Sequence, residues 1–203
     1  MKNKTKGQPK DFIRESIEVK EKMLKDKKFL AGIEKMADLI SVAIKNKKKI
    51  LIFGNGGSSA DAQHFAAELI NKFKLETPAF PAISLGADPS VISSISNDLG
   101  YEQVFSRQIE GLGEAGDIAI AITTSDVEAK KGGHSANIAY GLIAARKKGL
   151  LTIGLCSSKS KEVLNLTDLS VKIPSKNTPR IQEAHITVIH SVCELVENKF
   201  FIA

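Results

Sequence analysis

The 203-residue sequence contains no tryptophan, and only 5% of it is aromatic. Without aromatics interleaved among its basic residues, it has no surface for stacking bases. It has two cysteines, Cys156 and Cys193, far apart in apolar runs. That excludes a disulfide framework or a zinc knuckle and suits a reduced, cytoplasmic protein. No apolar run reaches the length of a membrane span, and no signal-peptide core opens the chain. Neither a GxGxxG fingerprint nor a Walker loop closed by Lys-Ser/Thr is present, which argues against an NTPase. No helix-turn-helix accompanies the chain, which argues against a DNA-binding regulator.

What is present is an ordinary globular balance, 42% hydrophobic and 26% charged, sized for a single domain over 1–203. The net charge of +6 is local, with Lys2, Lys4, Lys6 and Lys10 at one end and Lys45, Lys47, Lys48 and Lys49 before the first apolar run. We read it as a flexible tail over 1–10 plus a field that attracts an anionic substrate, not nucleic acid.

The chain is organised around 49–73. Ile50-Leu51-Ile52-Phe53 reads as a buried strand. Gly54-Asn55-Gly56-Gly57-Ser58-Ser59 is a glycine-rich turn, and Ala60 to Phe73 has helical periodicity. Strand, turn and helix in that order aim backbone N–H groups and a helix dipole at an anion above a sheet edge. Within the helix, His64 and Glu68 are four residues apart and share a face, where they can hold a metal or pass protons.

Elsewhere, amphipathic helices are expected over Phe12–Leu30 and Ile33–Ile44, with apolar stripes that suit a subunit interface. Short strands are expected at Ala82–Leu85, Asp117–Ile122, Leu150–Cys156 and Leu169–Ile173. Helices are expected at Asp88–Ser96, Glu102–Gly111, Ser135–Lys148, Val163–Leu166 and Pro179–Phe201, with a polar turn at Ser96–Gly100. Five strands alternating with helices predict an α/β fold, a parallel sheet covered on both faces. Thr123-Thr124-Ser125 then lie at a strand's carboxyl end, where open α/β sheets bind ligands. The final helix carries Gln182, His185 and His190. Gln182 and His190 are roughly 12 Å apart along a helix, and from periodicity alone His185, three residues from Gln182, is a competing candidate.

Several separated motifs resemble the phosphoheptose isomerase family of the sugar isomerase (SIS) fold. They are Gly54-Asn55-Gly56-Gly57-Ser58, Asp61 to Leu69, Asn97-Asp98, Thr123-Thr124-Ser125, and Arg180 to His185 with Val188-Ile189-His190. The resemblance implies a three-layer αβα sandwich with a five-stranded parallel, flavodoxin-like sheet and extra N-terminal helices. It implies a homotetramer with shared sites that isomerises sedoheptulose 7-phosphate to D-glycero-D-manno-heptose 7-phosphate through an enediol, for lipopolysaccharide or capsule. It places zinc on His64, Glu68, Gln182 and His190, with Glu68 and His190 as base and acid. Substrate contacts fall to Asn55, Gly56, Gly57, Ser58, Asn97, Asp98, Thr123, Thr124, Ser125, Ser135 and Gln182. The runner-up is a non-catalytic tetramer of this fold that binds a protein such as the replication initiator. One departure is local: where the family runs Thr-Ser-Gly-x-Ser, Asp126 to Gly132 intervene here before Ser135. Lys130, Lys131 and the Gly132-Gly133 pair suit a flexible lid over a phosphate, the alternative being an inert surface insertion.

Overall fold

The computed structural model describes residues 7–201, so most of the basic tail lies outside the described residues. Helix α1 (Pro9–Lys25) begins inside the stretch expected to be tail, with Pro9 in its first turn and Asp11 accepting the Gln8 N–H at 2.9 Å. Helix α2 (Lys27–Lys45) follows at once. The expected break near residue 31 is instead at Asp26, whose carboxylate caps α2 by accepting the N–H groups of Lys28 and Phe29, both at 3.0 Å. Gly32, between the two expected helices, lies inside α2, where a Cβ would sit 3.7 Å from Val171.

The sheet contains β1 (Ile50–Gly54), β2 (Ala82–Ser84), β3 (Ile118–Ile122), β4 (Leu151–Ser157) and β5 (Leu169–Ile173). All neighbours are parallel in the order β2-β1-β3-β4-β5. Residues alternate between two cores. Ile50, Ile52, Ile118, Ile120 and Ile153 face one side, with α1, α2, α3 (Gly57–Ile70) and α8 (Thr178–Phe201). Leu51, Phe53, Ala119 and Ala121 face the other, with α5 (Val104–Leu112) and α6 (Ala136–Lys147). The surface helix α4 (Pro89–Leu99) and the short α7 (Glu162–Leu166) complete the second layer. This is the three-layer αβα architecture expected.

The N-terminal helices are largely accounted for within one subunit, since Val19, Met23, Phe29, Ile33, Met36, Ala37 and Ile40 enter the first core. The outer face of α1 still exposes Phe12, Ile13, Ile17 and Leu24, each by about half or more.

Three further element boundaries differ from expectation by two residues or more. Helix α3 starts at Gly57 and stops at Ile70, which leaves Phe73 in the following loop. Helix α4 continues through Asn97 and Asp98, expected in a turn, and is ended by Gly100 at φ 93°. It buries no residue, so the polar composition that suggested a turn costs it nothing. A single 3-10 turn at Tyr101–Gln103 precedes α5, where a helix from Glu102 was expected.

The strand order reverses between β1 and β3: the chain leaves β1 toward β2 and returns on the other side to build β3. In open α/β sheets this switch point opens a crevice at the strands' carboxyl ends. Gly54 and Ile122, paired in register, mark that spot.

Candidate active site

The crevice depends on Gly54. A Cβ there would lie 2.7 Å from the Ser58 carbonyl oxygen and 2.8 Å from that of Ile122, so no larger residue fits between strand and helix. Gly56 turns the chain at φ 55°. Helix α3 then starts with Ser58 buried in its first turn. Asn55 is fixed by two side chains that sequence reasoning missed. It exchanges two amide hydrogen bonds with buried Asn137, at 2.9 and 2.7 Å, and accepts one from the Tyr101 hydroxyl at 3.2 Å.

Beside Asn55 is a cavity of about 230 Å³, lined also by Tyr101, Glu102 and the stretch from Gly132 to Asn137. Ser135 lies on this wall in a left-handed conformation at the start of α6. Thr123 is buried, and its hydroxyl donates to the Ser125 carbonyl at 3.0 Å, so it shapes the turn. The Ser125 hydroxyl pairs with the His134 ring at 3.0 Å. Asn97 and Asp98 are exposed, bond to each other at 2.7 Å and do not line this cavity.

The inserted stretch 126–132 is anchored, contrary to a free lid. Val127 is buried in the second core, the Asp126 carboxylate accepts the Glu162 N–H at 2.9 Å, and Glu128 N–H donates to the His134 carbonyl at 2.9 Å. Lys130 pairs with Glu128 at 3.1 Å.

The second half of the site follows from how α3 and α8 run side by side. The Gln182 amide packs against Gly57 so closely that a Cβ there would collide with it. One turn on, His185 Nδ1 is 3.9 Å from Asp61 Oδ2. One further turn on, the Nε2 atoms of His190 and His64 are 3.4 Å apart. The helices are therefore parallel and keep step to within about a residue. Gln182 lies at the glycine turn, about 12 Å along α8 from His190.

His185 is fully buried, its Nε2 3.4 Å from the Cys156 carbonyl, and it faces inward rather than toward His190. Burial pushes its pKa down to about 4 and raises that of Asp61 to about 6, the latter opposed by His64. His64 Nε2 also meets Glu68 Oε1 at 2.8 Å. Ligand atoms of His64, Glu68 and His190 all lie within 4.8 Å of one another, a group able to hold a metal ion. Tetrahedral zinc with bonds of about 2.0–2.1 Å requires donors about 3.3 Å apart. The facing nitrogens match that spacing, and imidazole with carboxylate is a donor set zinc accepts.

The SIS domain model matches residues 11–157. The phosphoheptose isomerase of Sulfurimonas denitrificans is 40% identical over 192 residues, covering 95% of each chain. That of Clostridium acetobutylicum is 43% identical over 189 residues, 93% of each. Among solved structures, the phosphoheptose isomerases of Neisseria gonorrhoeae and Francisella tularensis superpose with TM-scores of 0.82 and 0.85 at 34% and 30% identity. Each alignment covers 93% of this chain and 96% of the other. With a closely superposing fold and near full-length identity of this degree, the chain belongs to the phosphoheptose isomerase family of SIS-domain proteins.

Proposed function

We propose that the protein converts sedoheptulose 7-phosphate to D-glycero-D-manno-heptose 7-phosphate. One spacing carries the reading. From Gly57 to His64 is seven residues, roughly 10 Å along α3. An extended seven-carbon chain with a terminal phosphate spans about the same length, given C–C bonds of about 1.5 Å. A phosphate seated at the turn thus brings C1 and C2 to His64, Glu68 and His190. The Glu68 side chain leans back along its helix, so its carboxylate is level with His64 although its Cα is one turn further on.

The turn's free N–H groups, the positive end of α3 and the hydroxyls of Ser58, Thr124, Ser125 and Ser135 receive the phosphate. Asn55, Gly56, Gly57 and Gln182 line the path of the sugar, with Asn97 and Asp98 at its exposed rim. Glu68 removes a proton from C1. The C–H electrons form the C1=C2 bond, and the C2 oxygen takes a proton from His190, which gives the enediol. His190 then recovers the proton of the C1 hydroxyl as C1=O forms, and Glu68 returns its proton to C2. A zinc ion, one per subunit, held by His64, Glu68 and His190, would supply charge stabilisation for the enediolate oxygens. In this conformation Gln182 serves the sugar; the family's fourth-ligand role requires its amide to swing along α8.

The chain is read as a single SIS domain, working in the cytoplasm as a homotetramer that shares its sites, in lipopolysaccharide or capsule synthesis. No helix among the described residues is long and apolar enough to cross a membrane. The replication-initiator alternative finds no support in the relatives compared, whose names are those of isomerases. An NMR time course with sedoheptulose 7-phosphate tests the reading. New aldose C1 signals with loss of ketose support it, and unchanged substrate with zinc-loaded protein overturns it.

A further inference from the structure

Helix α8 stacks His190, Glu194 and Glu197 on one face, at i, i+4 and i+7. The loop that leaves α3 crosses this face. Glu197 is buried, yet its carboxylate is fully used, accepting the backbone N–H groups of Phe73 (2.7 Å), Lys74 (2.9 Å) and Leu75 (3.0 Å). Lys74 also pairs with Glu194 at 2.8 Å. A buried carboxylate is tolerated only when its hydrogen bonds are made, and these three are charge-assisted. Residues 73–75 belong to no helix or strand, so the carboxylate is what ties this piece of chain to α8.

The loop held in this way delivers one ring. Phe73 lies against His190 with centroids 5.3 Å apart and planes tilted by 34°, while His64 meets the same imidazole nearly edge-on, at 5.1 Å and 70°. Metal-ligating imidazoles are ordinarily oriented by a hydrogen bond to the nitrogen away from the metal. Here Nε2 of His190 faces His64, and among the described residues its Nδ1 has no protein hydrogen-bond partner. Packing therefore takes the place of that bond.

We propose that Phe73 and Glu197 are positioning residues for His190: Glu197 gathers the amides of 73–75, and the loop so held lays Phe73 on the imidazole and fixes its aim at His64 and Glu68. The proposal rests on the reading of His190 as a metal ligand and acid. It assigns a function to a carboxylate that touches neither substrate nor metal.

The test is zinc affinity of the full-length protein, measured by competition with a fluorescent chelator, for wild type, Phe73→Ala, Glu197→Gln and the double variant. Loss of an orienting partner typically weakens metal binding 10- to 100-fold, and each single variant is expected to fall in that range. Because Glu197 acts through Phe73, the double variant should bind zinc no more weakly than Phe73→Ala alone. Phe73→Tyr, which keeps the ring, should bind as wild type does. Hydrogen exchange at amides 73–75 should accelerate in Glu197→Gln and stay slow in Phe73→Tyr. Wild-type affinity in folded Phe73→Ala overturns the proposal, as do losses that multiply in the double variant. If Glu197→Gln does not fold, Phe73→Ala against Phe73→Tyr decides alone. A wild-type protein that binds no zinc removes the metal reading as well, whereas zinc-binding wild type with unaffected variants removes only this one.

Discussion

His64 and His190 point their Nε2 atoms at each other across 3.4 Å, from two different helices, with Glu68 at 2.8 Å from the first. Two neutral imidazoles in this pose share at most one hydrogen between the facing nitrogens. With Glu68 they form a group able to hold a metal ion. We expect protein purified without a histidine tag to carry close to one zinc per subunit by elemental analysis, and His64→Ala to carry almost none. Turnover should fall on chelation and return with zinc; full activity in metal-free protein would remove the metal from the mechanism.

Glu68→Gln should fold, assemble and bind sugar phosphate, yet lose turnover by about a hundred- to ten-thousand-fold, the usual contribution of a positioned general base. The amide cannot take the C1 proton, so exchange of the C1 hydrogen with deuterated water should stop as well. Near-normal exchange in the folded variant, with or without added zinc, would shift the role of base to another group.

The buried Asp61 and His185 should leave opposite marks on stability in metal-free protein. Asp61, with its pKa raised to about 6 from 3.8, binds its proton more tightly folded than unfolded, so its contribution falls as pH rises from about 4 to 6. His185, lowered to about 4 from 6.5, is the reverse: the unfolded chain takes up the proton first, and stability rises with pH over about 4 to 6.5. Each shift corresponds to about 3 kcal/mol at most, and together they nearly cancel. Denaturant titrations at pH 4.5 and 6.5 should show His185→Gln losing stability with rising pH and Asp61→Asn gaining it. Two parallel profiles would show that the pair does not titrate as described.

His134, two residues past the inserted stretch, lines the cavity and holds the Ser125 hydroxyl. His134→Ala should raise KM for the sugar phosphate about tenfold, the scale of one hydrogen bond to a charged group, with kcat within about twofold. Lys130→Ala should do little, because Lys130 is already engaged by Glu128. A KM effect larger for Lys130 than for His134 would reverse this assignment.

The apolar outer face of α1 should be covered in a tetramer. Ile17→Asp, at a half-exposed position, should yield smaller species by light scattering without loss of helicity. A wild-type monomer at micromolar concentration would contradict the assembly.

The sheet and both layers were legible because the central strands β1 and β3 are short unbroken apolar runs and the helices keep their period. The glycine turn, His64 and Glu68 were legible because they are close in sequence. The partners of Asn55 were not, because Tyr101 and Asn137 reach it across 46 and 82 residues. Asp26 was missed as a helix boundary because a capping carboxylate looks like any other charge until its N–H partners are known. The anchoring of 126–132 was not legible because its composition is polar, while its one large apolar residue, Val127, holds it to the core.

The parallel registration of α3 and α8 also determines where the chain can change length. One residue added to α8 between Gln182 and His190 turns everything beyond it by about 100° and advances it about 1.5 Å. Whichever contacts stayed in phase, the sugar end and the proton-transfer end would no longer match. The loop between Ser125 and Ser135, by contrast, carries extra residues with Ser135 still on the cavity wall and Ser125 tied to it through His134. Insertions that survive in this protein should therefore collect in the loops at the sheet's carboxyl edge, and the span from Gly57 to Glu68 and its counterpart on α8 should keep a fixed count.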